Sequence, residues 1–433
     1  MSSSSKKRIY PGESIDKQKK RVHPSVAPKK RRRVFVGMSG GVDSSVAAFL
    51  LKKEGYDVTG VYINGFNVDG CSERDAEDAR RVADHLGIPF YVIDAREDYF
   101  AYVVQYMIEG YKKGLTPNPD VMCNKEIKFG IFLDKALKLG ADYIATGHYV
   151  RLVTSNQQSV NSKNYELPIT SYRLLSAKDL NKDQSYFLWT LTQKQLKHCL
   201  FPVGEYTKPE IREIAKKAKL PTAKKKDSQG ICFLGKVKLP EFLKEYIKPK
   251  RGDVLDAEGN KIGEHEGVQF YTIGQRHINI QPTTKNKKQK TNQKPYYVAE
   301  KNIKTNALIV AEGDDHPTLF KKEIKLTDVH FINPQHSNIL QNVGMLEILC
   351  RVRYRQPLVK AMLVISNKES VTSKDRKLQV TSYHLLFSEP VKFVAPGQSA
   401  VFYLPAVVST EAGGMDTDKS GSHEMLGGGV ILN

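Results

Sequence analysis

The chain has 433 residues, a formal net charge of +20, 40% hydrophobic residues and 26% charged residues. This composition can bury cores in roughly two or three domains, which excludes a wholly disordered chain. No apolar run approaches the roughly 18 residues of a spanning helix, so no membrane partner is expected, and the positive excess points to a polyanion such as nucleic acid. In chain order, residues 1–33 come first, with 12 Lys or Arg against Glu13 and Asp16. Half of the excess charge therefore sits in a basic leader, rich in serine and containing three prolines, that reads as disordered. Its serine-rich, acid-poor composition suits a mitochondrial transit peptide. Pro28-Lys29-Lys30-Arg31-Arg32-Arg33 suits a nuclear address, and a solvated tail on a cytoplasmic protein is the third reading.

Val34-Phe35-Val36 reads as a buried strand, followed at once by Gly37-Met38-Ser39-Gly40-Gly41-Val42-Asp43-Ser44-Ser45 and an apolar helix from Val46 to Leu51. In such a strand, glycine turn and helix, backbone N–H groups and the positive end of the helix dipole cradle phosphate. Gly40 and Gly41 allow close approach, and Ser39, Ser44 and Ser45 offer hydroxyl donors. No lysine follows the glycines, which excludes the GxxxxGK[ST] loop. The string resembles the SGGxDS pyrophosphate loop of ATP pyrophosphatases, which cleave ATP to AMP and pyrophosphate while adenylating a substrate.

Val58 to Ile63, Phe90 to Ile93 and Tyr143 to Thr146 read as short apolar strands separated by helical stretches such as Glu73 to Leu86. This alternation predicts an α/β fold with a doubly wound parallel sheet and ligands at the carboxyl ends of its strands. Gly147 at one such end would let the chain pass close to a nucleotide. His148 reads either as a donor to an anion or as an ordinary structural histidine. The five cysteines, Cys71, Cys123, Cys199, Cys232 and Cys350, are odd in number and lack CxxC spacing. Neither a disulfide scaffold nor a structural zinc site is predicted, and no residue is assigned as a metal ligand. Cys123, within Pro117 to Phe129, and Cys232, within Asp227 to Phe233, lie among polar, turn-forming residues that suit reactive thiols; the other three read as packing residues.

These two segments, together with Asn181 to Leu188, Thr222 to Lys226 and Pro396 to Tyr403, resemble in order the tRNA-specific 2-thiouridylase family, from about Val34 to the C-terminus. With its basic, serine-rich leader the chain is most similar to the mitochondrial branch. The resemblance implies a sulfurtransferase that uses ATP to 2-thiolate the wobble uridine of tRNAs such as those for Lys, Glu and Gln. ATP with Mg²⁺ would be held by Gly37, Met38, Ser39, Gly40, Gly41, Val42, Asp43, Ser44, Ile63 and Gly147, and the uridine C2 oxygen would become adenylated. Cys232 matches the persulfide carrier, loaded by a cysteine desulfurase or sulfur relay protein. Cys123 matches the second catalytic cysteine, and Asp120 the acid/base residue. Either Cys123 releases sulfur by forming a disulfide with Cys232, or the persulfide attacks C2 and Cys123 resolves the mixed species.

The resemblance also implies that Asn118, Pro119 and Asp120 frame the flipped base. Further tRNA contacts map to His148, Lys182, Asp183, Gln184, Arg353, Tyr354 and Gln398, and a monomer is expected. Read from the residues alone, Asp120 has a turn cap as its alternative reading, and Lys125 and Lys128 either touch the tRNA backbone, lower thiol pKa values or line a solvated helix face. Arg351-Val352-Arg353-Tyr354-Arg355 reads as a strand with its arginines on one face, either a phosphate track or a charged edge. Ile63 stands where the family commonly has methionine, and the Gly65 to Asp75 segment is short for it.

The expected organisation is a leader, residues 1–33; an ATP pyrophosphatase domain of adenine nucleotide alpha hydrolase type, 34–238; a small central domain, 239–302; and a C-terminal β-barrel for tRNA, 303–433. The central domain is expected to carry a helix from Pro240 to Ile247, strands around Val254, Ile262 and Val268 to Ile273, and a surface loop, 281–294, with five lysines. Residues 409–423 read as a second surface insertion. Two other functions fit parts of the chain. Another ATP pyrophosphatase-type ligase would keep the glycine loop but has no need of Cys123 and Cys232, and a nuclear RNA-binding protein without catalysis would use only the basic segments.

Overall fold

A computed structural model describes residues 31–68, 70–157, 169–227, 230, 234–235, 237–276, 278, 281–282, 294–373, 376–405 and 422–432. The expected leader up to residue 30, Cys232 and most of both insertions lie outside the described residues.

The first apolar segments become β1 (Arg33–Gly37), β2 (Asp57–Asn64), β3 (Phe90–Asp94) and β4 (Tyr143–Ala145), joined through α1 (Val42–Lys53) and α2 (Cys71–Leu86). The hairpin β5 (Val150–Gln157) and β6 (Ile169–Ser176) then leaves for another sheet, and β7 (Cys199–Leu200) returns. The resulting sheet has the order β3-β2-β1-β4-β7 with every pairing parallel. The chain runs outward from β1 to β3 and then crosses to the other side of β1, so the switch point lies between β1 and β4. Ligands of doubly wound sheets bind at that crevice. Apolar side chains cover both faces: Val46, Ala47, Leu51 and Val82 pack on one, and Phe129, Phe132, Leu133 and Ile144 on the other.

The second sheet contains β8 (Gly252–Leu255), β9 (Lys261–His265), β10 (Gln281–Pro282), β11 (Tyr296–Asn302) and β12 (Ala307–Glu312), in the order β10-β9-β8-β12-β11. Because β12 pairs with both β8 and β11, the central unit runs to Glu312, not to Asn302 as its sequence pattern implies. A second correction concerns Val268 to Ile273. Val268–Phe270 is a 3₁₀ turn, held at its start by the Val268 N–H donating to Asn306 Oδ1 at 3.3 Å, and its apolar residues plug the core instead of pairing.

The third sheet contains β13 (Phe320–Phe331), β14 (Met345–Arg351), β15 (Val359–Ser373), β16 (Arg376–Lys392), β17 (Ser399–Tyr403) and β18 (Glu424–Ile431). Pairing of β13 with β18 closes these six strands into a barrel. The β5–β6 hairpin, expected within the catalytic domain, extends this wall by pairing β6 with β18, so that Leu174 lies opposite Met425. A Cβ at Gly428 would lie 2.9 Å from the Trp189 ring, so only glycine lets the wall press against the catalytic domain there. The arginine-rich segment departs from a continuous strand. β14 ends at Arg351, the chain turns with Gln356 N–H donating to Arg353 O, and Arg355 takes φ +66°. The arginines therefore do not share one strand face.

Candidate active site

The glycine loop sits at the switch point as the sequence predicts. Met38 N–H continues the ladder to Val61 O at 2.7 Å, and Gly40 adopts φ +70°. A Cβ at Gly40 would lie 2.3 Å from Asp75 O, so this glycine serves both the turn and the contact with α2. The hydroxyls organise the loop: Ser39 N–H donates to Ser44 Oγ at 3.2 Å, and Ser44 and Ser45 donate to Gly41 O at 3.2 and 2.7 Å. Gly41 is the N-cap of α1 without a side-chain cap, leaving the helix dipole's positive end for a ligand. Ile63 lies at the carboxyl end of β2 beside Asn64, whose side chain accepts from Ser72 Oγ at 2.7 Å.

Gly147 follows β4 across the same crevice. Its close approach is to protein backbone: a Cβ there would stand 2.6 Å from Ser44 N and 2.8 Å from the Asp43 carbonyl carbon. His148 is buried, hydrogen-bonded through Nδ1 to Thr146 Oγ1 at 2.8 Å and packed on Phe129 and Phe201. Burial and the nearby Lys128 hold it well below the usual histidine range, so it is neutral at physiological pH. In this conformation it serves as a structural histidine beneath the site.

Asp43 accepts from Tyr149 Oη at 2.7 Å and from Lys208 Nζ at 2.8 and 2.9 Å. Lys208 also reaches Asp227 at 2.9 Å, and Asp227 is further paired with Lys182 at 2.7 Å and Arg212 at 2.6 Å. Burial alone would raise Asp227, but hydrogen bonds from Lys182 and Lys208 outweigh it and hold the carboxyl at about 2. The Thr222–Lys226 motif is a buttress: Thr222 Oγ1 donates to Ser45 Oγ at 2.9 Å, and Lys225 pairs with Asp75 and Asp78 of α2 at 2.7 and 2.6 Å. Tyr149, Lys208 and Arg212 were not marked by any motif. They are found only once helix Lys208–Lys217 packs against α1.

The Cys123 half is built on one helical run. Pro119–Met122 is α-helical, Cys123–Ile131 winds as a π-helix and Phe132–Lys138 returns to α. The i→i+5 bonding of a π segment sets Lys128 one turn beyond Cys123. Asn118 is the N-cap, its Oδ1 accepting from Val121 N–H at 3.3 Å, and Pro119 fills the first helical position. The cap role open for Asp120 thus belongs to Asn118. Burial raises the Asp120 carboxyl above its ordinary range against the opposing charge of Lys128. Burial likewise pushes the Cys123 thiol up, while Lys128 and a hydrogen bond from Tyr99 act in the opposite direction. Tyr99 is a fourth residue that no motif signals. Lys128 acts on Cys123, Asp120 and His148 together, and His148 adjoins Gly147 at the glycine loop, so the two halves meet. Cys199 and Cys350 are buried in apolar clusters as expected of packing thiols.

The remaining expected tRNA contacts divide. Lys182 is engaged with Asp227, and Gln184 exchanges hydrogen bonds with the Tyr149 backbone at 2.9 and 3.0 Å. Asp183 is buried, accepting from Ala177 and Ser185, with Arg351 at 3.7 Å; it fastens the barrel instead of facing solvent. Arg353 is exposed, and Tyr354 packs on Phe187 with ring centroids 4.5 Å apart. Gln398 Nε2 donates to Thr116 O at 2.8 Å, and Thr116 N–H donates to Pro396 O at 2.7 Å, so the barrel loop grips the segment leading into Asn118. Among the described residues, no group of three or more His, Cys, Asp or Glu side chains could hold a metal ion.

A glycine loop without a lysine, at the switch point of a parallel sheet and joined to a central sheet and a barrel, defines a nucleotide-binding α/β enzyme with two accessory domains. Family models described as tRNA methyl transferase HUP domain, tRNA methyl transferase PRC-barrel domain and aminomethyltransferase beta-barrel domain match residues 32–236, 240–312 and 321–409. The tRNA-specific 2-thiouridylase MnmA of Blochmanniella floridana is 43% identical over 380 residues, covering 86% of this chain and 94% of its own. That of Geobacillus kaustophilus is 42% identical with 86% and 93% covered, and that of Flavobacterium johnsoniae 37% identical with 92% and 100% covered. The chain belongs to the tRNA-specific 2-thiouridylase family.

Proposed function

We propose that the protein is an ATP-dependent sulfurtransferase that converts the wobble uridine of tRNA to 2-thiouridine. The observation that carries this reading is the convergence of the glycine loop with the Asn118–Cys123 segment through Gly147, His148 and Lys128. Gly40, Gly41 and the uncapped start of α1 fit a polyphosphate. They would orient it for attack by the uridine C2 oxygen on the α-phosphorus, with pyrophosphate leaving. Mg²⁺ accompanying the nucleotide would supply neutralisation of the leaving charge.

Asp120, with its raised carboxyl, suits proton transfer at the base or at a thiol. Cys123 in this state is a protonated thiol that Lys128 and Tyr99 prepare to ionise when the base is bound. Sulfur would arrive as a persulfide on Cys232, loaded by a cysteine desulfurase or relay protein, and leave either through attack by Cys123 or through direct attack of the persulfide on C2. The relatives' names and the presence of both Cys123 and Cys232 in the sequence favour sulfur over methyl transfer. The basic, serine-rich leader supports a mitochondrial location, and the family resemblance implies a monomer acting on tRNAs such as those for Lys, Glu and Gln.

The test is nucleoside mass spectrometry of mitochondrial and cytosolic tRNA after deletion of the gene. Loss of 2-thiouridine from the mitochondrial pool is the expected result. Unchanged 2-thiouridine in both pools would refute the assignment. In vitro, Cys123→Ser and Cys232→Ser are each expected to abolish thiolation while tRNA-dependent pyrophosphate release continues.

A further inference from the structure

We propose that Lys248, Lys250 and Arg251 of the central domain, together with Lys304, form a docking surface for the phosphate backbone of the tRNA beside its modified base. This rests on the function proposed above. It adds a third domain to the tRNA surface, since every contact expected from the sequence falls in the catalytic domain or the barrel. All four side chains are exposed. The only acidic residue between positions 244 and 251 is Glu245, and the acids that follow are already engaged. Asp253 pairs with Lys261 at 2.7 Å, and Glu266 is held low by a hydrogen bond from Lys244, with Arg251 adding only a weaker field. Among the described residues no carboxylate pairs with any of the four cations. The patch is therefore an uncompensated positive field, which a polyanion complements.

The backbone beneath these cations is pinned. Asn306 is buried in the left-handed conformation, φ +52°, and its Nδ2 donates to Lys250 O at 3.0 Å and to Arg251 O at 2.8 Å. Its Oδ1 accepts from Val268 N–H at 3.3 Å, so one amide ties the basic segment to the core. A Cβ at Gly252 would stand 1.9 Å from Asn306 O, and only glycine lets the segment lie this close to the turn before β12. Pro249 restricts the chain further. Lys304, two residues before Asn306, is brought beside the other three. A basic segment that would be mobile by composition is preorganised here, which lowers the ordering cost of binding.

The patch is also tied to the base site. Ile303, next to Lys304, packs against Gly114, where a Cβ would come 2.2 Å from Ile303 Cδ1. Gly114 precedes Asn118 by four residues, a span of at most about 14 Å. On the other flank Phe242, Leu243 and Ile247, just before the basic segment, share an apolar cluster with Cys123 and Ile127. These contacts hold the four cations within roughly 30 Å of Asn118. A tRNA with one base in the site carries phosphates onward on both sides of it, so its backbone must cross the surface at this range. Phosphate contacts of this kind fix register without reading sequence.

The experiment measures the affinity of the full chain for an unmodified tRNA with a wobble uridine over a series of salt concentrations, then thiolation with saturating ATP and a cysteine desulfurase with cysteine. Changing Lys248, Lys250, Arg251 and Lys304 together to Gln is expected to weaken binding about tenfold or more at low salt and to flatten the slope of log Kd against log salt by about 3. The rate at saturating tRNA is expected to stay within about twofold of the wild type, because phosphate contacts position the substrate without touching the chemistry. The Lys248→Gln, Lys304→Gln pair, which leaves the clamped residues unchanged, is expected to give about half of the slope change. Lys53, Lys138, Lys197 and Lys216 are equally exposed cations of the catalytic domain. Changing these four to Gln removes the same net charge and is expected to weaken binding less than about threefold. Equal weakening by the two sets of four overturns the proposal, because bulk charge would then account for it. Unchanged tRNA affinity with a raised KM for the desulfurase also overturns it, since the patch would then dock the sulfur donor. A wild-type chain that binds tRNA through the patch but never forms 2-thiouridine overturns the sulfurtransferase reading alone.

Discussion

The nucleotide half and the cysteine half of the site are built by different means. The glycine loop is local: its turn, hydroxyl network and helix start all lie within Gly37 to Ser45, and the sheet needs only to present them. The cysteine half is a meeting of three domains. Cys123 and Ile127 share an apolar cluster with Leu234, Phe242, Val254 and Val298, and the barrel's Pro396 and Gln398 grip Thr116 from the other side. A phosphate site can be assembled from backbone N–H groups of consecutive residues, whereas a thiol and a carboxyl with raised pKa values need burial that one helix alone does not supply.

That contrast can be broken first where β4 approaches the glycine loop. Gly147→Ala forces a Cβ to 2.6 Å from Ser44 N, and the loop must shift. A cost of about 1.4 kcal/mol or more in transition-state binding, roughly tenfold, is expected in kcat/KM for ATP. Equal ATP kinetics in the variant and the wild type would show that the loop tolerates the displacement. Gln398→Leu attacks the other half. Removing the donor to Thr116 O leaves a buried carbonyl without its partner, at a cost of about 1–3 kcal/mol. The expected result is a lower melting temperature and a thiolation defect, with ATP affinity retained. A variant losing ATP affinity as severely as Gly147→Ala would erase the distinction between the halves.

The smallest expected effect on stability concerns Asp120. Its folded-state pKa is raised by burial, so this residue stabilises the fold below the ordinary carboxylate pKa and loses that contribution as pH rises through the folded value. Asp120→Asn is therefore expected to melt slightly higher than the wild type near pH 8 and to lose that advantage below about pH 4. It is also expected to lose most thiolation activity. Differential scanning calorimetry at the two pH values checks the sign, and a variant less stable at pH 8 would contradict the burial argument.

Much of the fold was legible from periodicity. Short apolar runs became β1 to β4, and Glu73 to Leu86 extended by one short step to Cys71–Leu86. Errors fell where a segment's partner is remote. The Arg351–Arg355 pattern alternates like a strand, yet Arg355 takes φ +66° and the strand ends at Arg351, because Arg351 turns toward Asp183 and the Tyr403 ring. Ala307–Glu312 looked like barrel because adjacency in sequence says nothing of which sheet edge is open; pairing with β8 decided it. Asp183 and His148 carry polar side chains that suggest ligands, and only their burial and hydrogen bonds show them as structural in this state.

What the sequence determined by itself was the chemistry available: a loop that can cradle phosphate, two thiols flanked along the chain by polar residues, and a carboxyl three residues before one of them. These follow from residue identity and short spacing, which act over one or two turns of chain. Tertiary structure decided which groups act on one another. Lys208 touches residues 165 positions before it and 19 after it, and Lys128 works on Cys123 because the helix winds as π and the central domain buries it. Charge and desolvation are set by neighbours in space, and only the closed fold makes those neighbours definite.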